Sequence, residues 1–130
     1  MKSFNRVLAA SLFVLAVPFV ARAQAGASRT IIVKMVDKSA TEYVFEPAII
    51  QARAGDVIRF TQMGSMPHNV DFKSAPAGVD LGDMKTSAFL ATPGQTLDIT
   101  IDKRFKVGDY PFVCMPHESL GMKGTLKIAK

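Results

Sequence analysis

Cysteine is almost absent from this chain: Cys114 is the one thiol in 130 residues. No disulfide can close within a single copy, so the fold must stand on its packed core. Also missing is an apolar run long enough to cross a bilayer. The longest, Val7 to Val20, has 14 residues, against the roughly 20 that a spanning helix needs. Lys2 and Arg6 precede it, and the small-residue sites Ala21-Arg22-Ala23 and Ala23-Gln24-Ala25 follow. A positive end, an apolar stretch and A-x-A sites together describe a secretory signal peptide, cleaved after Ala23 or Ala25. The expectation is a leader over residues 1–23 and one periplasmic domain over residues 24–130. A lipid-anchored form would need a cysteine at the cleavage point, and none is there. A lone cysteine in an exported chain asks for a reason, namely intermolecular pairing, a reactive thiol or a metal.

A strong charge of either sign is lacking too. Lys and Arg number 16 and Asp and Glu 11, a net charge of +5. The leader holds Lys2, Arg6 and Arg22 and no acid, which leaves 13 basic against 11 acidic residues in the domain, a net +2. With no basic stripe interleaved with aromatics, nucleic-acid binding loses its compositional support. No repeat, low-complexity tract or interdomain linker is visible. A domain of this size buries about two-thirds of its unfolded surface and can be stable without staples.

What is present reads as all-β. Thr30 to Val36 and Val44 to Ala52 are rich in β-branched and apolar residues, and Val57, Ile58 and Phe60 form a further short run. Thr96 to Asp102 alternates polar and apolar with the period of a half-buried strand. Tyr110, Phe112 and Cys114 share one face of another strand, as do Leu126 and Ile128. Turn residues separate these runs at 54–56, 64–67, 76–78, 92–94 and 108–109. Seven or eight short strands predict an antiparallel Greek-key β-sandwich. The stretch from Ser74 to Leu90 is less regular, with a short helical turn expected there.

The chain's histidines number two, His68 and His117. His117 follows Cys114 in a C-x-x-H motif, Met122 stands five residues beyond, and His68 lies 46 residues before Cys114. One loop between two strands plus one distant histidine needs a sandwich to bring them together. Two imidazoles and a thiolate in a plane with a weak axial thioether describe a blue-copper electron-transfer site. Zinc is the competing metal, but it favours four firm ligands, or three with a catalytic water, and a thioether serves it poorly. Singly, each residue has a plainer explanation. A histidine can be a surface group, a cysteine a small buried hydrophobe and a methionine core filler. Jointly, every histidine and the only cysteine would have to fall into one ligand spacing by accident.

At these residues the chain resembles the plastocyanin-like cupredoxins of the plastocyanin/azurin family of type 1 blue copper proteins. The stretch from Tyr110 to Thr125, with Cys114, His117 and Met122, is similar to their ligand loop. Pro67 to Val70 resembles the segment bearing their first histidine, and Pro76 to Asp80 and Ala91 to Gly94 resemble later turns. The resemblance implies one copper ion held by His68, Cys114, His117 and Met122. It implies that Asn69 ties the two ligand-bearing loops together. It further implies an electron port at His117, ringed by Met66, Pro67, Met115, Pro116 and Leu120. Val113 stands where photosynthetic plastocyanins often carry a tyrosine, and Lys73, Lys85, Lys123 and Lys127 replace an acidic patch with a mildly basic surface. A photosynthetic role is therefore not carried over with the fold.

The function expected is a soluble, monomeric one-electron carrier cycling Cu(II) and Cu(I). Its partners would be redox proteins, a cytochrome or a copper or haem oxidoreductase, docking transiently near His117. No membrane insertion is expected once the leader is removed. A copper-delivery or copper-resistance protein is the rival reading. An enzyme is a third, but it would need a further copper centre, and no histidine remains to build one.

Overall fold

The computed structural model describes residues 27–130. The expected leader over residues 1–23 lies outside the described residues. Eight strands run in chain order: β1 (Thr30–Ser39), β2 (Glu42–Glu46), β3 (Ile49–Ala52), β4 (Val57–Gln62), β5 (Asp71–Phe72), β6 (Thr96–Thr100), β7 (Gly108–Val113) and β8 (Lys123–Ile128). They form two four-stranded sheets, ordered β2-β1-β4-β6 and β3-β8-β7-β5. The all-β sandwich expected from the sequence is present, and a 3₁₀ turn, Gly82–Lys85, sits inside the irregular stretch after Ser74.

Two features differ from that expectation. The sheets are mixed, because β1 pairs with β4 and β3 with β8 in parallel. Parallel partners are joined by long connections, and alternation along one strand says nothing about which neighbour it will meet. The apolar stretch from Val44 to Ala52 is two strands in different sheets, divided at Pro47. Proline has no N–H to give to a ladder, and Pro47 falls between the two strands.

Alternation fills the core. Val33 and Met35 of β1, Ile58 and Phe60 of β4, Tyr110 and Phe112 of β7, and Leu126 and Ile128 of β8 all point inward and are buried. Phe112 is the hub between the sheets. Its ring meets Phe45 edge-on at 4.9 Å, Phe60 at 5.5 Å and Phe72 at 5.8 Å. Gly124 of β8 makes room for it, since a Cβ there would lie 2.4 Å from the Phe112 ring and 2.8 Å from the Ala48 carbonyl oxygen. The Tyr110 hydroxyl accepts the Lys106 N–H and donates to the Lys106 carbonyl, both at 2.8 Å, which closes the loop before β7. That strand then runs directly into Cys114.

Candidate metal centre

Two loops bring the sequence's candidate ligands together. After β4, the turn through residues 63–67 leads to His68. Its N–H donates to Leu90 O (3.1 Å) and its carbonyl accepts the Leu90 N–H (2.8 Å). Buried Gln62 holds that turn by donating from Nε2 to the carbonyls of Met66 and Leu90. The second loop leaves β7 at Cys114, passes through the 3₁₀ turn Met115–Leu120 that carries His117, and reverses at Gly121 with φ +89°. A left-handed turn of this kind costs glycine little. The loop is then laced by its own main chain. His117 N–H donates to Cys114 O (3.1 Å), Met122 N–H to His117 O (3.1 Å) and Cys114 N–H to Met122 O (3.0 Å).

The side-chain donor atoms of His68, Cys114 and His117 converge. His68 Nδ1 and His117 Nδ1 are 3.1 Å apart, and Cys114 Sγ lies 3.6 Å from the first and 3.4 Å from the second. A triangle with those sides has its centre about 2 Å from each corner, the length of a first-row metal–nitrogen bond. Two ring nitrogens facing each other cannot both point a proton into the gap, so at least one presents a lone pair there that a cation can use. The three form a group able to hold a metal ion, all buried. Met122 is fully buried as well and is joined to Cys114 and His117 through the main-chain bonds just described.

Burial shapes the protonation of these groups. It pushes the Cys114 thiol up, against the N–H groups of Asn69 and His117. Burial also holds His117 below the ordinary imidazole value, with neighbouring His68 acting in the same direction and Asp37 opposing. A neutral imidazole is the form that ligates, whereas the thiol must release its proton to solvent when a metal binds. His117 keeps 6% of its surface exposed, while His68, Cys114 and Met122 keep none.

Around the donors stand three supporting residues. Asn69 Oδ1 accepts the Met115 N–H at 2.9 Å, joining the His68 segment to the Cys114 loop. Tyr43 of β2 stacks on His117 with ring centres 4.0 Å apart and planes at 16°, and meets His68 edge-on at 5.8 Å. Asp37 of β1 holds His68 from behind, its Oδ1 2.6 Å from Nε2. Sequence reading singled out Asn69 but neither Tyr43 nor Asp37. Both come from the β1–β2 hairpin, far from the ligand motifs, and only the tertiary fold carries them to the centre. Met66, Pro67, Phe89, Pro116 and His117 line a shallow, largely apolar hollow on the surface. Phe89, half exposed, is a further wall that no motif pointed to.

Residues 32–129 match the family model described as copper binding proteins, plastocyanin/azurin family. The chain is 37% identical over 94 residues to plastocyanin of Ginkgo biloba, covering 69% of this chain and 92% of that protein. Identity to plastocyanin of Prochlorothrix hollandica is 33% over 128 residues, covering 98% of this chain and 93% of that one. Several chloroplast plastocyanins it matches are longer, and the chain spans about half of each. Among solved structures, oxidised plastocyanin of Dryopteris crassirhizoma superposes with a TM-score of 0.61 at 28% identity, covering 76% of this chain and all of that one. A buried His–Cys–His cluster at the end of a two-sheet sandwich, carried by a chain that matches over nearly its whole described length, belongs to a blue copper electron-transfer protein of the plastocyanin/azurin family.

Proposed function

We propose that His68 and His117 through Nδ1, and Cys114 as thiolate, form the plane of a type 1 copper site, with the Met122 thioether as its weak axial ligand. The observation that carries this reading is the convergence of Sγ and two Nδ1 atoms into a buried triangle 3.1–3.6 Å on a side. Copper bound there supplies a one-electron Cu(II)/Cu(I) couple. The protein's part is to keep the ligands still. Cys114, His117 and Met122 are pinned by main-chain bonds within their loop, His68 by its pair of bonds to Leu90, and Asn69 ties the two loops to each other.

Electrons pass at His117, the one proposed ligand with exposed surface. Met66, Pro67, Phe89 and Pro116 ring it with apolar atoms. A small apolar face suits brief docking of a monomeric carrier onto a cytochrome or a copper or haem oxidoreductase, since transient redox encounters use the smallest interfaces. The role is that of a carrier and not an enzyme, because both histidines serve one centre and none is left for a substrate-binding copper. The leader over residues 1–23 supports export to the periplasm.

Stepwise reduction of the Cu(II)-loaded protein in the presence of a Cu(I) chelator tests the carrier role. One electron per copper, full reoxidation and retention of the metal through repeated cycles are expected. Surrender of the ion to the chelator on reduction would instead make this a delivery protein.

A further inference from the structure

The contact from Asp37 to His68 is shorter than any between the three donor atoms. Asp37 lies where the β1–β2 register shifts between Asp37 and Ser39, a bulge that re-aims its side chain. The side chain is only 18% exposed, and its two oxygens divide their partners. Oδ1 meets His68 Nε2 at 2.6 Å. Oδ2 accepts the Ser65 N–H at 2.8 Å and the Met66 N–H at 3.0 Å, from the turn that leads into His68. Gly64 completes the enclosure: a Cβ there would lie 2.2 Å from the Asp37 carboxyl carbon, so the turn closes over the carboxylate only because residue 64 has no side chain. This acid is built into the support of a ligand.

We propose that Asp37 is a positioning residue of the copper centre, one that fixes His68 with Nδ1 toward the metal and lowers the reduction potential. The proposal rests on His68 being a ligand. When Nδ1 gives its lone pair to a metal, the proton of the neutral ring sits on Nε2, where Asp37 Oδ1 receives it. A carboxylate in that place selects the tautomer, holds the ring plane and makes Nδ1 a stronger donor. It also sets a full negative charge one imidazole away from the metal. That charge attracts a doubly charged ion more than a singly charged one, so the oxidised state gains relative to the reduced. A main-chain carbonyl there would supply the hydrogen bond without the charge.

The test uses the copper-loaded full-length domain, with Asp37→Asn and Asp37→Ala beside the unaltered protein. Losing the carboxylate is expected to weaken Cu(II) binding about tenfold and Cu(I) binding less. Where Cu(I) binding is unchanged, that tenfold is a potential raised by about 59 mV for a one-electron couple. An unchanged potential in both variants, each folded and still blue, would overturn the proposal. If neither variant folds, nitrogen-resolved NMR of the unaltered Cu(I) form decides. A slowly exchanging proton on His68 Nε2, shifted downfield by a carboxylate partner, is expected, and a rapidly exchanging one would overturn the assignment. Failure of the unaltered protein to bind copper blue would instead refute the underlying ligand set.

Discussion

Cys114 is the residue at which three requirements meet: it follows a core strand, starts the ligand loop and presents its sulfur to two imidazoles. The proposed ligands around it differ in what their chemistry contributes. Thiolate and imidazoles are strong donors, while a thioether is weak and favours Cu(I). Met122→Gln should therefore keep copper bound and lower the reduction potential, as read by redox titration, because a harder amide oxygen favours Cu(II). Loss of all copper from that variant would mean that Met122 is more than an axial ligand. The convergence of His68, Cys114 and His117 was legible in the sequence because two histidines and one cysteine stood at ligand spacing. Asp37 and Tyr43 were not. An aspartate and a tyrosine on a hairpin look like any others until a bulge and a sheet crossing set them against His68 and His117.

At the scale of elements, the strands were readable wherever one face is buried and the other wet, as in β1, β6 and β8. Pairing was not readable. Whether β1 lies parallel to β4 is decided by a sequence separation that local alternation does not sense. The division at Pro47 was readable only in part, since a proline has no N–H to give to a ladder, yet Pro111 sits inside β7. What the eight strands do for the centre is to fix two loops at one end, and a tight joint between those strands is Phe112 against Gly124. Gly124→Ala should destabilise the copper-free protein by about 1–3 kcal/mol. The reason is that one of the three obstructing atoms is a backbone oxygen that cannot swing away. Thermal or denaturant unfolding measures this. An unchanged midpoint would show that β8 can shift without cost and that Phe112 is not wedged.

For the whole molecule, acid sensitivity follows from groups whose folded state resists protonation. In the copper-free protein His117 is held below its ordinary value by burial. Its share of the stability is present above the unfolded value near pH 6.5 and is lost as pH falls below it. Asp56 is fully buried, and burial alone would raise its carboxyl. The Arg53 N–H and the Arg29 guanidinium and N–H outweigh that and hold it below its usual range. Its contribution is present above about pH 4 and is lost on further acidification. Unfolding midpoints followed from pH 7 to 3 should therefore fall in two stages. Asp56→Asn should flatten the second stage while costing about 1.5–3 kcal/mol at pH 7. A variant that keeps the full acid slope would assign that stage to other carboxylates, such as Asp37 and Asp98, which are also held low.

All of this organisation serves one convergence, the sulfur of Cys114 with the ring nitrogens of His68 and His117. Its most direct consequence is optical. The absorption spectrum of the Cu(II)-loaded protein, recorded beside that of Cys114→Ser, should show an intense visible band that a mild reductant bleaches reversibly, and the variant should lack it. A pale complex from the unaltered protein, or a band that survives in Cys114→Ser, would contradict the copper–thiolate centre.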